Sequence, residues 1–226
     1  MAGKQSKSPL TETAYEKIYN KIVTLEYAPG QQLEEKQLMK ELKIGRTPIR
    51  ETLLKLAGEM MLESHHNKGF IVRPILLQNT KAVFEALRIL EHGVADLAIR
   101  HNVSSYLDVM EESNEELKAS IPSQNTMKLV ETNNRFHINF SLCSHNEYLV
   151  RSLKMVRCEA RRLAYLSFSN EISPGNSLQN HYLEVANQHD TIVKAIRDRD
   201  AALIKGTLDK HIQDFQQRIV AYMTFQ

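Results

Sequence analysis

The sequence predicts a mainly α-helical chain in two parts, an N-terminal winged helix-turn-helix and a C-terminal all-α antiparallel helical bundle. Three observations predict it. Apolar residues recur at helical spacing in segment after segment of the 226 residues. That period lapses from Leu62 to Pro74, where two short extended runs flank His66-Asn67-Lys68-Gly69, a hairpin turn signal. After residue 76 no strand pattern returns.

The elements follow in order. Residues 1–9, polar and Lys/Ser-rich, read as a disordered tail. Ala14, Ile18, Ile22 and Leu25 share one face of a helix over 10–27, and Pro29-Gly30 breaks it. Leu33 to Leu42 reads as a short charged helix with Leu38 and Leu42 inward. Lys43-Ile44-Gly45-Arg46 is a tight connection. Thr47-Pro48 opens the next helix, Thr able to cap free amides and Pro suited to the first helical position. Its stripe is Ile49, Leu53, Leu56, Ala57 and Met60. Helix, helix, turn, helix and hairpin define a first domain over 10–75. Six helices follow in a second domain over 76–226, at 79–100, 103–119, 124–143, 147–169, 178–198 and 200–224. Breaks fall at His101-Asn102, Ile121-Pro122, Ser144-His145-Asn146, Ser173-Pro174-Gly175 and Arg199, and the short loops make neighbours antiparallel.

Composition narrows the function. With 42% apolar residues the chain can bury a real core, and a formal charge of +2 excludes a polycation. Residues 1–75 carry twelve Lys/Arg against nine Asp/Glu, the remainder seventeen against eighteen, so a polyanion would meet the first domain. Cys143 and Cys158 form no CxxC pair and no disulfide framework, which points to a reducing cytosol. No apolar run spans a membrane, and the start lacks the apolar core of a signal peptide.

The segment "APGQQLEEKQLMKELKIGRTPIRETLLKL", with Lys68-Gly69-Phe70-Ile71-Val72 beyond it, resembles the GntR family of bacterial regulators over residues 10–74. The resemblance implies that Arg46, Thr47 and Arg50 contact DNA, that Lys36 approaches the backbone or a base, and that His66, Asn67 and Lys68 form a wing reaching the minor groove. The chemistry agrees. Arg46 and Arg50, four apart at the mouth of a helix, lie near one face, and guanidinium bonds guanine O6 and N7 bidentately. The helix N-terminus itself favours phosphate. Ordinary solvated surface charge is the other reading of the pair. Two departures stand out: Gly45 occupies a position where the family usually has Ser or Thr, and Met60 one where a Gly commonly ends the helix.

In the second domain "EALRILEHGVADLAIRHN" (85–102), "NNRFHINFS" (133–141) and "HDTIVKAIRDRDAALIKGTLDKHI" (189–212) resemble the FadR-like branch with a C-terminal FCD sensor domain. That implies a divalent metal, Zn or Ni, on Asn133, His137, His189 and His211, and a carboxylate effector paired with Arg88. Asn133 and His137 are four apart and share a helical face. His189 and His211 lie eleven residues either side of Asp200, so in a hairpin each stands about 16 Å from the bend at 1.5 Å per residue. Val185, Val193 and Ile196 lie on the His189 face, and Ile204, Leu208 and Phe215 flank His211, so both face the interior. A neutral Asn133 amide is a poorer ligand than a carboxylate. Satisfied core histidines, and an Arg88 pair with Glu85 or Glu91, are the other readings. His92, His101, His145 and His181 are left as structural or surface residues, while Arg135, Arg161 and Arg162 are further candidates to line a cavity.

The sequence therefore predicts a cytoplasmic homodimeric repressor on a palindromic operator in double-stranded DNA, answering to a small carboxylate. A metal-responsive regulator and a three-His metal-dependent enzyme are the rival classes.

Overall fold

The structure, a computed structural model, describes residues 9–66, 69–172 and 177–224. The chain divides into two compact units between Ile75 and Leu76.

The first unit packs α1 (Pro9–Val23) and α2 (Glu35–Leu42) around α3 (Arg46–Gly58). Ile18, Ile22, Leu38, Ile49, Leu53 and Leu56, all essentially inaccessible to solvent, form its core. Helix α1 stops at Val23 rather than 27, because Leu25 takes a left-handed φ of 61° and the chain folds back, Tyr27 N donating to Lys21 O at 2.9 Å. Leu33, expected to open the second helix, belongs instead to β1 (Gln32–Leu33). The Pro29-Gly30 turn, with Gly30 at φ 82°, lays this segment along the hairpin: Gly30 N donates to Val72 O at 2.8 Å, and Val72 N to Gln31 O at 2.8 Å. Two residues are too few for an alternation to show in sequence.

Strands β2 (Leu62–His65) and β3 (Gly69–Val72) form the hairpin, and the sheet order is β1-β3-β2, all antiparallel. Leu62 pairs with Val72 and His65 with Gly69, so Leu62, Phe70 and Val72 face the core while Glu63 and His65 face solvent. Asn67 and Lys68 lie outside the described residues, as does nearly all of the expected tail.

The opening of α3 also corrects the sequence. The N-cap is Gly45, at φ −68° and ψ 167°, so Thr47 and Pro48 sit inside the first turn and no side chain caps the helix. The helix ends at Gly58, and Met60 takes φ 61°, the left-handed conformation that closes the turn as Met61 N donates to Leu56 O at 2.9 Å. Met60 thus adopts the backbone geometry that glycine supplies without strain.

The second unit contains α4 (Leu77–Ala98), α5 (Ser104–Ser120), α6 (Thr126–Leu142), α7 (Glu147–Ser169), α8 (Leu178–Arg197) and α9 (Ala201–Thr224). Sequence neighbours α5 and α6, α6 and α7, and α8 and α9 pack on one another; α4 packs on α9 and α7, and α5 on α8, closing the bundle. Asn125, Asn146 and Ser177 cap α6, α7 and α8 with side-chain oxygens accepting first-turn amides. The Ser173-Pro174-Gly175 break lies outside the described residues. Helices α8 and α9 meet in a tight bend: Arg199 is left-handed at φ 55°, Asp200 N donates to Ala195 O at 2.9 Å, and Asp200 Oδ1 accepts from Leu203 N at 2.9 Å.

Candidate functional site

Two sets of residues stand out, one in each unit. In the first, Arg46 and Arg50 project from the first turns of α3 with side chains 69% and 60% exposed. Both approach one carboxylate. Glu35, in the first turn of α2, accepts from Arg46 Nε at 3.1 Å and lies 4.0 Å from Arg50 Nε. Thr47, Lys36 and His66 are exposed as well. A mouth of α3 closed by glycine leaves its first-turn amides open to an anion, and the two guanidinium groups flank it. The Gly45 departure removes a hydroxyl here and keeps the opening clear.

In the second unit α6, α8 and α9 bring His137, His189 and His211 together, with ligand-capable nitrogens all within 4.8 Å of one another. The bend at Asp200 sets His189 opposite His211, ring centroids 5.2 Å apart, and His137 lies 5.1 Å from each. Two of the rings are held from behind by Nδ1, and the third has a carboxylate nearby. His189 Nδ1 meets Asn114 Oδ1 at 3.1 Å, His211 Nδ1 meets Gln188 Oε1 at 2.6 Å, and His137 Nδ1 is 3.6 Å from Glu91 Oε1. Phe136 stacks on His189 at 3.7 Å and 5°, fixing its plane. The Nε2 atoms are left to the centre: those of His137 and His211 stand 3.2 Å apart, and that of His189 is buried without a partner.

The electrostatics suit a cation. Burial pushes all three imidazoles down, His211 to about 3, with the Arg157 guanidinium adding to the effect, so each is neutral and offers a lone pair. Asn133, one turn before His137, carries a buried Oδ1 with no hydrogen-bond partner among the described residues. Buried acceptors left unsatisfied are costly, and a divalent ion with nitrogen and oxygen ligands would satisfy them together. Three ring nitrogens therefore fit such an ion, and Asn133 lies one turn away on the same helix face. Asn114 and Gln188, bonded to Nδ1 of His189 and His211, leave Nε2 of those rings to the ion.

Beside the centre lies a small cavity of about 20 Å³, lined among others by Asn133, His211, Phe168, Val185 and Phe215. Glu184 and Asp214, both tied to Lys210 at 2.8 and 2.7 Å, belong to its wall. His181, expected to be structural or surface, is buried, contacts Ser167 Oγ at 3.2 Å and lines the same pocket.

Arg88, expected to meet a carboxylate effector, is paired here with a carboxylate of the chain itself. It lines no part of this pocket; its Nε donates to Asp209 at 3.2 Å, and Asp209 also meets His92 Nε2 at 3.0 Å. The inward stripe of α4 runs Phe84, Leu87, Glu91 and Val94, so Arg88, one position past Leu87, is rotated towards the surface. Its partner is neither Glu85 nor Glu91. Arg135 pairs with Glu112 and Glu116, and His101 stacks on His145 at 4.7 Å, all away from the histidine cluster.

Comparison with known proteins agrees with this architecture. Residues 10–72 match the bacterial regulatory proteins of the gntR family, and residues 82–214 match the FCD domain. The chain is similar to the Nta operon transcriptional regulator of Aminobacter aminovorans, 27% identical over 89% of this chain and 92% of that protein. It is also similar to the HTH-type transcriptional repressor RspR of Escherichia coli K12, 21% identical over 93% and 89%. Among solved structures, E. coli McbR/YncC shares the fold with a TM-score of 0.78 at 18% identity, all of both chains covered. A putative GntR transcriptional regulator from Rhodococcus sp. RHA1 gives 0.72 at 16%, over 93% and 97%.

Proposed function

Since this chain belongs to the GntR family of bacterial regulatory proteins, in the branch that carries an FCD domain, and is therefore a transcriptional regulator and not an enzyme, we propose that it is a repressor whose grip on DNA is set by a small carboxylate meeting a divalent metal in the helical bundle. The observation that carries this reading is the convergence of three neutral imidazole nitrogens on one buried point beside a pocket. His137, His189 and His211 would hold the ion, Zn or Ni, with Asn133 as a weaker fourth ligand. Bound there, the metal supplies a Lewis-acid position for a carboxylate. The chain's own residues do the rest: Phe168, Val185 and Phe215 exclude water, and Asn114 and Gln188 keep the rings in place.

Arg46 and Arg50 would read base edges in the major groove, Thr47 and Lys36 the phosphates, and His66, Asn67 and Lys68 the minor groove. A homodimer would present two such helices to a palindromic operator. The ligand acts by favouring one arrangement of the DNA-binding units, without which it would change nothing. RspR is named a repressor, which supports repression as the role of this chain.

The test is a fluorescence anisotropy titration of a selected operator by purified protein, with metal content measured by elemental analysis. About one zinc or nickel ion per chain is expected in the wild type and none in His189→Ala. Candidate carboxylates should weaken operator binding only in metal-loaded protein. Wild-type protein that holds no divalent ion after exposure to zinc or nickel would sink the metal part. Operator release by zinc alone would replace the carboxylate with the ion as signal.

A further inference from the structure

The ligand set just proposed has no negative charge. Three neutral imidazoles and an amide around a divalent ion leave its charge uncompensated in a dry interior, where isolated charge is heavily penalised. Two nearby carboxylates are poor compensators. Asp190, behind Asn114, is half-exposed and paired with Lys118 at 2.8 Å; Asp214, behind Gln188, is part-exposed and paired with Lys210.

Glu91 differs from both. It sits in the inward stripe of α4, 1% exposed, and Arg157 of α7 pairs with its Oε1. The other oxygen, Oε2, is buried with no hydrogen-bond partner among the described residues, and so is Nδ1 of His137, 3.6 Å from Oε1. At that distance the contact is through-space attraction; a shift of about half an ångström closes it to a hydrogen bond.

Resting on the metal reading above, we propose that Glu91 is the anionic partner of the centre. It holds His137 by Nδ1, so that Nε2 is the ligating nitrogen, and supplies the charge that Asn133 does not. Arg157 pairs with the same carboxylate and competes with a cation for its charge. Glu91 is a positioning residue, acting through His137 rather than as a ligand.

Zinc affinity of the full-length protein, measured by competition with a chromophoric chelator, tests this. Glu91→Gln should weaken zinc by about 10- to 100-fold, the usual effect of losing an outer partner. Adding Asn133→Asp to that variant should restore most of the loss, because the charge returns from a ligand position; damage to packing would not be rescued so. Should Glu91→Gln fail to fold, Arg157→Met gives a second arm. It removes a cation near the site and should raise zinc affinity, the opposite of what damage does. Unchanged affinity in Glu91→Gln, no rescue by Asn133→Asp, or a fall in Arg157→Met overturns the proposal. A wild-type protein that binds no zinc overturns the metal reading instead.

Discussion

Glu35 holds two guanidinium groups at the mouth of α3, and both stay largely in water. Exposed pairs of this kind contribute little to stability, about 0–1 kcal/mol, so their removal should be felt on DNA and not in the fold. Arg46→Ala or Arg50→Ala should each cost about 1–3 kcal/mol of operator affinity if the group makes a bidentate contact to guanine, a loss of roughly 5- to 150-fold, with the melting temperature nearly unchanged. Anisotropy against specific and scrambled duplexes checks it; an unchanged preference for the operator would refute the assignment. Both arginines were legible in sequence because the GntR resemblance marks their positions and helical spacing puts them near one face. The three histidines were legible for the same reason, two by their equal distance from Asp200. Their partners Glu91, Asn114, Arg157 and Gln188 went unnoticed, although each stands as a polar residue in an otherwise apolar stripe, as Asn114 does between Met110 and Leu117. That signal says a polar group is inward; only the packing of four helices says what it meets. Arg88 stands four residues after Phe84 and seven before Ala95, at the edge of the inward stripe, and only the packing of α4 on α9 shows that it meets Asp209.

Helix bodies were readable and their ends less so. The six bundle helices fall within about two residues of their apolar spacing, since a stripe marks a helix interior and caps decide its ends. The termini that moved belong to α1 and α3, where Leu25, Gly45 and Met60 carry the backbone out of the helix. Met60 holds a left-handed conformation with its side chain part-exposed, so the turn costs about 1 kcal/mol that glycine would not. Met60→Gly should stabilise the first unit by that order, seen as a rise in the denaturant midpoint with no change in slope. A fall would show that the Met60 side chain contributes more packing than its backbone costs. At the α8–α9 bend, Asp200→Ala removes the acceptor for Leu203 N and should cost about 1 kcal/mol, the usual value of a helix cap. Equal thermal stability of the variant would count against the cap.

At the scale of the whole molecule, acid should be the weak point. Burial pushes His137, His181, His189 and His211 below their ordinary value, His181 and His211 to about 3. Unfolded histidine takes up a proton near pH 6.5, while these four stay neutral in the fold, so the unfolded state binds more protons as pH falls. Above that pH they contribute no pH dependence; below it stability should decline steadily towards about pH 3. Urea midpoints at pH 7, 5.5 and 4.5 measure this, and a flat profile would refute it. Saturating zinc should add stability at pH 7, about 2.7 kcal/mol at a hundredfold excess over the dissociation constant, and chelator should remove it.

The short bend at Asp200 also works as a gauge. One residue inserted into either arm would swing a histidine through about 100° and slide it about 1.5 Å along its axis, dissolving the triangle while leaving both helices intact. Matched insertions of seven residues in each arm, close to two full turns, would carry the rings nearly back to the same azimuth but some 10 Å farther from the hinge, away from His137. The chain length between the two rings is thus a quantity selection can act on independently of the residues that fill it.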